Sequence, residues 1–275
     1  MTPGAPFRVA LVQMVSTPNV AENLDAAEKL IAQAAAQGAK LVALPEYFCI
    51  LGVRDTDKVA AKEQDGAGPI QEFLAASARR HGIWLVGGSV PLECPDPGKV
   101  RNSCLIYDSE GRRVARYDKI HLFGLELGAE RFDEGRTIEA GIAPCAIDSP
   151  FGRIAISVCY DVRFPELYRA LAPMDIILVP SAFTATTGRA HWETLLRSRA
   201  IENLAWVLAP AQGGTHASGR QTHGHSMVVD PWGKVVAERA TGAGVVVADI
   251  DPAFQAKMRR SLPALTHRVL QGPRG

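Results

Sequence analysis

The sequence predicts an α/β protein in which helices cover mixed β-sheets. Two observations carry this expectation. Short apolar runs of strand length alternate with helix-periodic segments, and two glycine-turn hairpins interrupt the alternation. Several runs, such as RIAISVC at 153–159 and DIILVP at 175–180, are apolar throughout, the pattern of strands covered on both faces. A four-layer α-β-β-α sandwich satisfies that pattern by burying two sheets against each other beneath outer helices. Periodicity alone leaves a doubly wound single sheet open, and the hairpins favour mixed sheets.

Taken in order, Phe7 to Met14 reads as a buried strand, and Asn23 to Gln37 as a helix stopped by Gly38. Lys40 to Pro45 (KLVALP) is a short apolar strand that runs out at Glu46. A helix fits Pro69 to Arg80, followed by Gly82, and Ile83 to Val90 reads as a strand. The segments SCLIYDSEGRRVA and HSMVVDPWGKVVA are hairpins that share D-x-x-G-basic-x-V-A, at 108–115 and 230–237. Shared turn chemistry and an internal duplication both explain that repeat. Further strands are expected at 153–159, 175–180 and 205–210, with helices at 165–172 and 189–202. The chain shows no linker or low-complexity tract, which predicts one domain over 1–275 with an extended tail from about residue 262.

Composition narrows the function. Thirty basic against 29 acidic residues give a net charge of +1, without the basic stripe that nucleic-acid binding requires. No run of 18 apolar residues suggests a membrane span, and MTPGAPF lacks the pattern of a secretory signal. Five cysteines at 49, 94, 104, 145 and 159 show no metal-binding spacing and read as reduced cytoplasmic thiols.

Three residues attract attention because each stands where a strand runs out. Cys159 ends RIAISVC and leads into YDVRFPEL, a turn and helix start from which backbone N–H groups face a reacting oxyanion. A thiol near its ordinary pKa is only a few per cent ionised at neutral pH, so a nucleophilic role requires a base or a cation. Glu46 follows LVALP, and a carboxylate in apolar surroundings has the raised pKa of a general base that later acts as an acid. Lys119, in RYDKIHLF, supplies a candidate fixed cation. Taken singly, each also has a bland reading: a packed cysteine, a surface carboxylate, a solvated edge lysine.

Together the blocks LVALPEYF, YDKIHLFG and GRIAISVCYDVRFPEL resemble the glutamate, lysine and cysteine signatures of the nitrilase superfamily, in that order. The likeness covers residues 7–268. VPSAFTATTGRAHWETLLRSRAIEN and AQGGTHASGRQTHGHSMVVDPWG resemble the Nit-type branch, and the second resembles deaminated-glutathione amidases more than ω-amidase. The resemblance implies the four-layer fold, a homodimer or higher homo-oligomer, and neither metal nor organic cofactor. It also implies a second glutamate after the lysine. Glu134 in RFDEG is the best match, but Gly124 and a shortened loop depart from the common pattern and leave Glu126 and Glu130 as alternatives.

The expected chemistry is cleavage of a small carboxylated amide through a thioester on Cys159, with ammonia released, Glu46 as base and then acid, and Lys119 with the Tyr160 N–H at the oxyanion. A nitrile or N-carbamoyl substrate remains open with the same triad, as does a silent oligomeric scaffold. Arg220 is a candidate for an anionic substrate end, and His121 for orienting Lys119 or meeting substrate. His223 and His225 read as loop residues near the pocket rather than metal ligands. Arg197, Arg199 and Glu202 read as helix-face ion pairs, and Arg163 and Glu166 as supports of the turn after Cys159.

Overall fold

The computed structural model describes residues 4–128 and 130–270. Strand β1 (Phe7–Gln13) leads to helix α1 (Val20–Ala36), whose N-cap Asn19 accepts from the Glu22 N–H. That cap starts the helix three residues earlier than its apolar periodicity suggests. Strand β2 (Leu41–Ala43), the short helix α2 (Asp57–Ala60), helix α3 (Pro69–His81), and strands β3 (Trp84–Val86) and β4 (Val90–Leu92) follow. The run from Ile83 to Val90 is therefore not one strand. Gly88 breaks it with φ +53°, at a point where a Cβ would stand 2.0 Å from the Pro45 carbonyl oxygen.

Strands β5 (Arg101–Tyr107) and β6 (Arg113–Asp118) form the first hairpin. The stretch 122–135, read from the sequence as a loop, carries a two-stranded ribbon of β7 (Gly124–Leu127) and β8 (Glu130–Asp133). Then come β9 (Cys145–Ser149), β10 (Gly152–Ile156), α4 (Pro165–Leu171), β11 (Ile176–Leu178), α5 (Ala185–Asn203) and β12 (Trp206–Ala209). Helix α5 starts four residues before the expected 189 because Thr184 caps it, accepting from the Thr187 N–H. Strands β13 (Ser226–Val229), β14 (Val235–Arg239) and β15 (Gly244–Ile250), then helix α6 (Pro252–Ser261), complete the order. Residues 262–270 carry no helix or strand, and the rest of the expected tail, 271–275, lies outside the described residues.

The strands form two large sheets. One runs β15-β1-β2-β3-β5-β4, with β6 also on β5; the other runs β14-β13-β12-β11-β10-β9. Alternation along β1 sorts the layers. Val9 and Leu11 join the core shared with Ile154, Ile156 and Leu178 of the second sheet, while Ala10 and Val12 pack with Ile31 of α1 and Leu74 of α3. Helix α5 covers β12 and β13 on the far side. The result is the four-layer α-β-β-α sandwich of the nitrilase type.

The hairpin repeat extends through both halves. Three parallel strands followed by two antiparallel ones occur as β1-β2-β3-β5-β6 and again as β10-β11-β12-β13-β14. RVALVQM at 8–14 takes the place of RIAISVC at 153–159, and LVALPEYF at 41–48 that of IILVPSAF at 176–183. The two hairpin turns match in detail. Asp108 Oδ1 accepts from the Glu110 and Arg112 N–H groups, and Asp230 Oδ1 from those of Trp232 and Lys234. Topology thus supports duplication over a shared turn alone.

Candidate active site

Strand ends from the two sheets meet over one buried cluster. Glu46 stands beyond β2 and is 1 % exposed. Its Oε1 accepts from Lys119 Nζ at 2.9 Å and Asn102 Nδ2 at 2.9 Å, and its Oε2 from the Ala182 N–H at 3.0 Å. Lys119, directly after β6, is fully buried, and its Nζ also donates to Glu134 Oε2 at 2.7 Å. Glu134 accepts further from the Phe123 N–H at 2.7 Å and the Tyr47 hydroxyl at 2.8 Å. Of the three glutamates in this stretch, Glu134 reaches Lys119. Glu126 is exposed and pairs with Arg131, and Glu130 accepts from Thr186 Oγ1 at 2.8 Å.

Cys159 opens a 3₁₀ turn, Cys159–Arg163, beyond the end of β10 rather than closing the strand. Its φ of +51° is uncommon for a residue with a side chain, and its N–H donates to the Pro180 carbonyl at 2.9 Å. Asp161, fully buried, ties this turn to the lysine segment. Its carboxylate accepts from the Val158 N–H (2.8 Å), the Tyr117 hydroxyl (2.7 Å) and the His121 N–H (3.0 Å), with His121 Nδ1 at 2.7 Å. His121 thus sits on Asp161, its ring stacked 3.7 Å from that of Phe164.

Electrostatics separate the two carboxylates that share Lys119. Burial raises the Glu46 pKa, and the Lys119 charge only partly opposes it. At Glu134 burial acts in the same direction, but Lys119, the Phe123 N–H and the Tyr47 hydroxyl overcome it, so its pKa falls. Burial pushes the Cys159 thiol well above its ordinary value, with the Glu46 charge adding to the effect. Burial also works against the Lys119 ammonium, yet Glu134 and Glu46 together outweigh it and raise its pKa. Carboxylates driven apart in this way are the arrangement in which one accepts and returns a proton while the other stays ionised.

A narrow slot beside the thiol is lined by Cys159, Tyr160, Arg163, Phe183, Thr184 and Arg220. It adjoins a vestibule of about 190 Å³, and Phe123, Glu134 and Arg220 line both. Arg220 Nη2 donates to the Ala182 carbonyl at 2.8 Å, and its guanidinium lies 5.2 Å from the Phe132 ring centroid. Arg163 packs over the Tyr160 and Phe183 rings. The buried Nε of each arginine has no acceptor. Arg163, read from the sequence as a support of the turn, thus also faces the slot.

Asn102 and the Ala182 N–H were not legible as site groups, because Asn102 lies outside the patterned blocks, a backbone N–H carries no residue-type signal, and both act through tertiary contact. Arg199, expected on a helix face, pairs with Glu202 at 2.6 Å and donates to the Val162 carbonyl in the cysteine turn at 2.8 Å. Arg197 pairs with Glu193 at 3.0 Å. His223 and His225 stack 4.3 Å apart in a separate groove beside α5. Among the described residues no group of three or more His, Cys, Asp or Glu is arranged to hold a metal ion.

A sequence model of the carbon-nitrogen hydrolase family matches residues 8–260. A deaminated glutathione amidase of Synechocystis sp. is 42% identical over 270 residues, covering 96% of this chain and 98% of the relative. The structure of Saccharomyces cerevisiae Nit3, a member of branch 10 of the nitrilase superfamily, superposes with a TM-score of 0.86 at 32% identity, over 95% of this chain and 96% of that one. A mutant of the amidase from Nesterenkonia sp. AN1, with acrylamide added at its active-site cysteine, gives a TM-score of 0.78 at 28% identity, over 94% and 99%. The chain belongs to the carbon–nitrogen hydrolase family of the nitrilase superfamily and is an amidase, a hydrolase of carbon–nitrogen bonds other than peptide bonds.

Proposed function

We propose that the protein hydrolyses a linear amide of a small dicarboxylic acid, in the manner of the deaminated-glutathione amidases, through a thioester on Cys159. One observation carries the reading: a single buried ammonium, Lys119, bridges two carboxylates of opposite pKa shift, and the thiol lies against the raised one. Glu46 accepts the thiol proton as sulfur attacks the carbonyl carbon. Lys119 and the Tyr160 N–H stabilise the oxyanion. Glu46 then protonates the departing amine, which is ammonia for a primary amide, and activates the water that cleaves the thioester. Glu134 stays ionised and holds Lys119 in place. The unpaired guanidinium N–H groups of Arg163 and Arg220 suit the free carboxylate of the acyl part. His121 acts through Asp161 on the lysine segment.

The free thiols fit a reducing, cytoplasmic setting. Exposed Ile201 and Trp232 near the end of α5 fit burial in a homo-oligomer, which light scattering would detect.

The deciding experiment compares wild type with Cys159→Ala on a panel of diacid monoamides, nitriles and N-carbamoyl compounds. Amide turnover should vanish in the variant while its melting temperature stays close to that of wild type. Continued amide hydrolysis by purified Cys159→Ala overturns the reading.

A further inference from the structure

Consecutive residues of an extended chain point to opposite sides, yet Glu46 and Tyr47 both end on the Lys119 cluster, Glu46 directly and Tyr47 through Glu134. The backbone allows this by turning at Tyr47, whose φ is +57°. A bulky residue seldom adopts that conformation, which persists only where the surroundings fix it.

The peptide unit between the two residues is held at both ends. Its N–H, on Tyr47, donates to Ser89 Oγ at 2.9 Å, and its carbonyl, on Glu46, accepts from Gln212 Nε2 at 3.1 Å. Ser89 and Gln212 are both fully buried. The Gln212 amide has one workable orientation: Oε1 accepts from the Ser16 N–H at 3.0 Å, so Nε2 faces the Glu46 carbonyl and Ser16 Oγ, the latter at 2.7 Å. The main chain of Gln212 holds a second peptide. Its N–H donates at 2.9 Å to the carbonyl of Ser181, which stands in IILVPSAF where Glu46 stands in LVALPEYF. The N–H of that same peptide, on Ala182, donates to Glu46 Oε2. One glutamine thus fixes both the main chain of Glu46 and the peptide that grips its carboxylate.

We propose that Gln212, with Ser89 as its counterpart, is a positioning residue for the reaction, locking the Glu46–Tyr47 peptide so that the Glu46 carboxylate meets Lys119 while the Tyr47 hydroxyl meets Glu134. Neither Gln212 nor Ser89 lines the slot or the vestibule, so both act through Glu46 and not on substrate. This rests on Glu46 as the base in the reading above.

The test compares Gln212→Met and Ser89→Ala with Gln71→Met, each in the full chain on an amide that the wild type hydrolyses. Gln71 is likewise buried, donates to Glu63, Gln64 and Ala67, and lines neither slot nor vestibule. Misplacing a reacting group by about 1 Å slows a reaction by roughly 10²-fold, so Gln212→Met should lose about 10- to 100-fold in kcat with KM little changed. Ser89→Ala should lose less in the same sense, and carries the comparison alone if Gln212→Met does not fold. Gln71→Met should lower the melting temperature without lowering kcat. A kcat in the two site variants no lower than in Gln71→Met, or a loss carried by KM, overturns the positioning role alone. Glu46→Gln separates the two ideas: full turnover there overturns the base assignment and the positioning role with it.

Discussion

Asn102→Leu tests whether the Glu46 proton is the one that matters. Asn102 Nδ2 donates to Glu46 Oε1 at 2.9 Å, and leucine keeps the side chain's shape while removing that donor. Lys119 remains on the same oxygen and the Ala182 N–H on the other. The lost bond favoured the ionised carboxylate, so its removal raises a pKa that burial already holds above the ordinary value. A hydrogen bond to a charged group is worth about 1.5–3 kcal/mol, which corresponds to about one to two pH units. The acid limb of kcat/KM against pH should therefore move to higher pH by that amount, with activity recovering on the alkaline side. The apparent value belongs to the Glu46–Cys159–Glu134 cluster, so the displacement rather than the midpoint is the readout. A thermal melt confirms that the variant is folded. A uniform drop with an unmoved limb, or a limb displaced to lower pH, refutes Glu46 as the base.

Two other perturbations probe the same cluster. Lys119→Met leaves Glu46 and Glu134 facing each other without their cation, and should cost about 3–5 kcal/mol of stability by thermal or urea melting. Amide turnover should also fall by roughly 10²–10³ with the lost oxyanion contact, and a fully active variant would exclude that role. Tyr117→Phe removes the hydroxyl that joins Asp161 Oδ2 to the Ile120 N–H, loosening the lysine segment from the cysteine turn. It should lower kcat more than it changes KM. Tyr168→Phe, which loses an equally buried bond to Ser157 Oγ, serves as the control; equal kcat losses in both variants would count against a positioning role for Tyr117.

Local signals were legible where they are repeated or obligatory. Apolar runs marked β1, β2 and β10 through β12, though with ends one to three residues too long, since edge residues of a run pack without joining the ladder. Strand β9 ends on the polar Asp148 and Ser149 and gave no such signal, whereas β15 carries an apolar run, at 245–248, as strong as those of the other strands. Glu46 and Lys119 were readable as charges abutting apolar strands, and Cys159 through the block around it. Glu134 was the best match from the sequence, but Glu126 and Glu130 stayed open, because the three lie within nine residues on or just after a ribbon whose register the sequence does not specify.

By itself the sequence determined the layered α/β class, the paired hairpin turns and three chemistry-bearing strand ends, because each depends on residues close together along the chain. Only the tertiary structure decided which groups meet. Glu46 and Lys119 come from one sheet and Cys159 from the other, and their pKa shifts follow from burial and charge at a junction that no local pattern encodes. The same holds for Asn102 and Asp161, whose partners Glu46 and Tyr117 stand 56 and 44 residues away in the chain.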